Sequence, residues 1–224
     1  MYYSLLKNNV FQTSDILSIN AMVQIAQERS RGAPHLQFGR TNLMARVAVI
    51  DPQTAIGEVK PLLDAVQSGL GMVPNFIRVL ANSPAALNAF LGMHAIAGAG
   101  VLDPKTRERI ALAVAEQNGC QYCVSAHTAI GRKVGLDHEE MLANRERRSS
   151  DAKAEAALRF AGALVENTGQ VSKVEFDAVR AAGHSDAEIV EIITHVAMNI
   201  FTNLLGKATQ VEIDFPMIEL SKVA

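Results

Sequence analysis

The sequence predicts an all-α fold of eight or more helices, and three observations carry that expectation. Ala is the commonest residue, followed by Leu and Val, while Trp is absent and aromatics make up only 5% of the residues, a bias toward helix over strand. Cap signals recur along the chain, and the stretches they open keep one apolar face at helical period. No segment shows convincing strand alternation. At 224 residues, 49% of them apolar and 20% charged, the chain is long enough for a sizeable core and is not compositionally disordered.

Residues 1–43 read as an N-terminal extension, rich in Asn, Gln and Ser, with one helix expected from Asp15 to Arg29. Two readings of this extension stay open: a translated leader ahead of a natural start at Met44, or an arm that packs on a neighbouring subunit. Residues 44–224 read as one helical domain. Its first helix is expected from Gln53, with Ile56, Val59, Leu62, Leu63 and Val66 on one face and Gly69-Leu70-Gly71 at its end. After Val73-Pro74-Asn75 come Phe76, Ile77, Val79 and Leu80. Ser83-Pro84 pairs an N-cap with Pro at the first helical position, opening a helix through Leu87, Phe90, Leu91 and Met93.

Asp103-Pro104 repeats that signal ahead of Glu108, and Asn118-Gly119 stops the helix as a left-handed cap. The next helix runs from about Cys120 to Gly135. Asp137 with Glu140 has the capping-box pattern for a short helix, and the polar run from Asn144 to Ser150 reads as the best internal linker. Its basic residues, Arg145 to Arg148, read as a solvated loop. A long helix to about Asn167 follows, closed by Gly169. Ser172 with Glu175 and Ser185 with Glu188 are further capping boxes, and the last helix is apolar through Ile189, Ile192, Ile193, Val196, Ile200 and Leu204. A faint internal echo sets Glu191, Asn203 and Gly206 where Glu108, Cys120 and Cys123 stand.

A net charge of −2 gives no footprint for nucleic acid. No apolar run is expected to reach membrane-spanning length, and no basic-then-apolar start marks a secretory signal. Two cysteines do not make a secreted disulfide scaffold, so a cytoplasmic location is expected.

The chemistry concentrates between Glu108 and His127. At about 100° per residue, Cys120, Cys123 and His127 fall within about 60° on one helix face. The cysteines open that helix, where unpaired N–H groups and the dipole favour thiolate. His127, one turn past Cys123, can relay its proton. If Asn118-Gly119 turns the chain back, Glu108 stands level with His127, a carboxylate orienting an imidazole that serves a thiol. A Cys-x-x-Cys could also be a structural pair or half a metal site, but zinc needs further ligands. His94, His138 and His184 read as surface or capping residues, and His195 as a satisfied core histidine.

The spacing Glu-x11-Cys-x2-Cys-x3-His, here Glu108, Cys120, Cys123 and His127, resembles the AhpD-like alkylhydroperoxidases of the carboxymuconolactone decarboxylase superfamily, in the branch of peroxidase-related enzymes. The resemblance covers about residues 46–220, through Val73-Pro74-Asn75-Phe76, Ser83-Pro84, Leu102-Asp103-Pro104 and Asp214-Phe215-Pro216. It implies an AhpD-like helical bundle and a thiol peroxidase cycle without a bound cofactor. In that cycle Cys123 attacks the peroxide, Cys120 resolves, and His127 and Glu108 relay protons. It further implies an external dithiol reductant of lipoyl or thioredoxin type, and assembly into dimers, trimers or hexamers. A redox-sensing or disulfide-exchange module and a lactone decarboxylase are the alternatives. AhpD proteins carry a histidine just before the second cysteine, where this chain has Tyr122; a phenol with pKa near 10 donates a hydrogen bond but is a poor base at neutral pH.

Overall fold

The computed structural model describes residues 45–221. The expected helix Asp15–Arg29 and the choice between leader and arm therefore lie outside the described residues. Among those described there are nine helices and no strand. They form two compact units, one ending at Ala99 and one beginning at Gly100, within the span that reads from sequence as one domain.

The first unit contains α1 (Val59–Leu70), α2 (Asn75–Leu80) and α3 (Pro84–Gly98). Helix α1 starts six residues later than its apolar pattern suggests. Asp51 is the cause: its Oδ1 accepts from Gln53 N–H and its carbonyl from Thr54 and Ala55 N–H, making local turns that compete with a helix. Ile56 consequently lies 84% exposed instead of on the buried face. Leu63, Val66 and Leu70 are buried, and Gly71, in the left-handed region, ends the helix. Phe76, Ile77, Val79 and Leu80 of α2 are all buried. Ser83 Oγ accepts from Ala86 N–H to cap α3, with Pro84 at its first position as expected.

The second unit is built around α4 (Pro104–Gln117). It packs against α5 (Gln121–Lys133), α6 (His138–Arg145), α7 (Ala152–Glu166) and α9 (Asp186–Thr209), and α8 (Lys173–Ala181) packs on α7. Such a position leaves α4 no exposed middle, so residues 110–116 are all buried. Ala111, Ala113 and Ala115 let neighbours approach closely. Ile110 and Val114 join Leu158, Phe160, Leu164, Val179, Ile189, Ile192 and Val196 in the main core. Each large side chain buried there contributes about 1.5–3 kcal/mol.

Three expectations change here. The run Asn144–Ser150 is not a linker. Asn144 and Arg145 are buried, Arg145 Nε bonds Glu116 Oε2 at 2.7 Å, and Arg147 pairs with Glu166. Glu140 does not complete a capping box either. Asp137 caps Glu140 N–H, but the Glu140 carboxylate turns inward to Arg109, Asn144, Ser149 and Ser150. Helix α9 is, by length and composition alone, long and apolar enough to cross a membrane, contrary to the sequence expectation. Its buried side mixes Ile189, Ile192 and Val196 with His195, Asn199 and Asn203, the pattern of a core helix carrying polar groups into the unit. Both capping boxes, at Ser172 and Ser185, form as read.

Candidate active site

The site begins with a turn. Gly119 takes φ +62°, a conformation in which a side chain would be strained. Its N–H bonds the Glu116 carbonyl, and Cys120 N–H bonds the Ala115 carbonyl, each at 2.9 Å. This pair of bonds is a Schellman motif, closing α4 and reversing the chain within two residues. Cys120 then serves as N-cap of α5, its Sγ accepting from Cys123 N–H at 3.4 Å. Since α5 returns beside α4, Glu108 and His127 come level. Glu108 Oε2 accepts from His127 Nδ1 at 2.8 Å, a direct contact. Nε2 is left as the ring nitrogen for proton exchange.

Cys120 and Cys123 are joined as a disulfide, 1% and 3% exposed. Gly206 of α9 lies against it: a Cβ at that position would stand 3.3 Å from Cys120 Sγ and 3.9 Å from Cys123 Sγ. Beside Gly206 on that helix, Asn203 Oδ1 accepts from Asn118 Nδ2 at 2.9 Å. Lys207 Nζ donates to the Asn118 carbonyl at 2.6 Å, a cation set on the C-terminal end of α4. The other side of α5 is held by the C-terminal tail. Tyr122 OH donates to Asp214 Oδ1 at 2.9 Å and its ring meets Phe215 edge-on, while Ser125 Oγ accepts from Ile218 N–H at 3.0 Å. The tail ends on the Glu116–Arg145 pair, where Arg145 Nη2 donates to the Glu219 carbonyl and Ser221 N–H to Glu116 Oε1.

The arrangement joins a carboxylate, an imidazole and a dithiol/disulfide pair in one hairpin, and such a set can exchange two electrons and a proton. The carboxymuconolactone decarboxylase family model matches residues 84–166, the stretch that contains all four groups. Over that stretch the chain is similar to the carboxymuconolactone decarboxylase family. Two similar solved structures, each 26% identical with TM-score 0.67, are an uncharacterized peroxidase-related protein from Silicibacter sp. TM1040 and one with an alkylhydroperoxidase AhpD core from Ralstonia eutropha JMP134. They cover 80% and 76% of this chain, and 95% and 92% of their own. The apo debrominase Bmp8 is 25% identical with TM-score 0.61, over 70% of this chain and 86% of that one. The chain matches none of the functionally curated proteins.

The hairpin brings together Glu108, Cys120, Cys123 and His127, and the other described histidines of this unit, His138, His184 and His195, lie on other segments. His138 is exposed at the start of α6, and His94 stacks near Phe90 in the first unit. His184 is not a surface residue: it is buried, with Nε2 donating to the Lys153 carbonyl at 2.9 Å. His195 is buried in α9. No group of three metal-binding side chains occurs among the described residues. Sequence reading gave no functional weight to Asn203, Gly206 or Asp214. For the first two the internal echo was the available signal. Their partner in that echo, Glu191, instead accepts from Val101 and Leu102 N–H, each at 2.8 Å.

Proposed function

We propose that the protein is a thiol-dependent peroxidase working through Cys120 and Cys123. The observation that carries this reading is the direct Glu108–His127 contact, one turn beyond the cysteine pair that opens the same helix. The Cys123 thiolate attacks a peroxide oxygen, the O–O bond breaks, and the departing alkoxide takes a proton from His127. Cys123 becomes a sulfenic acid. The Cys120 thiolate attacks that sulfur, hydroxide leaves and is protonated to water, and the disulfide forms. Glu108 steadies the charged imidazole between proton transfers. An external dithiol, of lipoyl or thioredoxin type, then returns two electrons. No resident cofactor enters this cycle. Tyr122, bonded to Asp214, acts in it as an anchor of α5 and not as a base.

A second reading is favoured by the likeness to a debrominase. The same dithiol could reduce a carbon–bromine bond, turning a brominated aromatic and two thiols into the debrominated ring, a disulfide and hydrogen bromide. Steady-state assays with hydrogen peroxide, alkyl hydroperoxides and a brominated aromatic, each with lipoyl and thioredoxin reductants, separate the two. Peroxide consumption that disappears in Cys123→Ser supports the peroxidase. Bromide release without peroxide turnover replaces it with the debrominase, and full peroxidase activity in Cys123→Ser refutes the assignment of that residue.

A further inference from the structure

Helix α9 brings to the turn ahead of the cysteine pair a polar group from 85 residues beyond Asn118. Asn203 is 1% exposed and stands one turn before Gly206, where a Cβ would lie 3.3 Å from Cys120 Sγ. Its amide is oriented from one side only: Oδ1 takes the Asn118 hydrogen bond, and Lys207 holds Asn118 in turn through its carbonyl. Asn203 Nδ2 has no hydrogen-bond partner among the described residues. A buried amide donor left unmade costs about 1–3 kcal/mol, so native structures keep few of them.

We propose that Asn203 Nδ2 is the donor that receives the Cys120 sulfur when the disulfide opens, which rests on Cys120 and Cys123 being the working redox pair. In that step a reductant thiolate bonds to Cys123 Sγ, the Sγ–Sγ bond breaks, and its electron pair leaves on Cys120 as a thiolate. The reductant's second thiol, after losing its proton, displaces Cys123, which takes up a proton. The reductant departs as a disulfide, two electrons poorer. The Cys120 sulfur already accepts from Cys123 N–H. A second donor lowers the thiol's pKa further, and a more acidic thiol leaves faster. The same stabilised thiolate is the group that closes onto oxidised Cys123. Gly206 serves this by having no side chain between α9 and the sulfurs. The charged and titratable groups on the elements around Cys120 are Lys207 on α9, Glu108 on α4, His127 and Tyr122 on α5, and Asp214 in the tail, and none of them takes a hydrogen bond from Asn203.

The test uses the full chain carrying Cys123→Ser, so that Cys120 is the single thiol, alkylated by iodoacetamide across a pH series. Asn203→Ala is expected to raise the Cys120 midpoint by about one pH unit, an about tenfold loss of thiolate below it. In the two-cysteine protein, opening of the disulfide by dithiothreitol is expected to slow about tenfold as well. Asn118→Ala, at a partly exposed helix end, keeps Asn203 but frees its amide, and is expected to shift the midpoint in the same direction. An unmoved pH profile in either variant, when folded by circular dichroism, overturns the proposal. Neither readout needs peroxide or bromoarene, so a failed peroxidase assay leaves this result standing.

Discussion

Replacing Glu108 by Gln removes the charge that holds His127 by Nδ1 while keeping the shape of the side chain. Turnover is expected to fall about 10²-fold with little change in thermal stability, the usual scale for losing a proton relay. Steady-state kinetics beside a melting curve checks this, and lost stability with unchanged turnover would make the contact structural. Glu108, Cys120, Cys123 and His127 were legible because spacing along one hairpin fixes their relation. Glu140 was misread for the converse reason. Its local pattern fits a cap, but its partners Arg109 and Ser149 are chosen by packing. Burial alone would raise the Glu140 carboxyl, yet hydrogen bonds from Ser149, Asn144 and Ser150 outweigh it and hold the pKa at about 2. Because this value lies below that of the unfolded chain, the stability it contributes is present above pH about 4.5 and is lost as pH falls toward about 2. Glu140→Gln should flatten that limb of the acid unfolding curve, and an unchanged curve would show that the network does not set acid stability.

At the level of elements, the hairpin depends on Gly119. Gly119→Ala forces a side chain into the left-handed region and is expected to cost about 1–2 kcal/mol. It should also lower turnover by spoiling the register of Glu108 with His127. Chemical denaturation and the peroxidase assay on the same sample check both effects. This turn was readable from Asn118-Gly119 because left-handed caps select glycine. The start of α1 was not, since the turns made by Asp51 override an apolar period that continues back to Ile56. Asn203 and Asp214 were beyond local reading as well. Each meets the site across 85 or more residues of sequence, and the internal echo at Asn203 and the motif at Asp214 do not name the partner.

At the scale of the molecule, the second unit contains the whole α4–α5 hairpin, with α9 and the tail both packed on α5. Ending the chain at Gln210 removes Phe215 from the core and the hydrogen bonds to Tyr122 and Ser125. That truncation is expected to destabilise the unit by about 3 kcal/mol, seen as an earlier unfolding transition. The central claim concerns the two sulfurs themselves. Pre-reduced protein given one equivalent of hydroperoxide, quenched and analysed by mass spectrometry, tests it most directly. The predicted result is one Cys120–Cys123 disulfide for each peroxide consumed, with a trapped sulfenic acid on Cys123 in Cys120→Ser. Peroxide consumed while both cysteines remain thiols would contradict it.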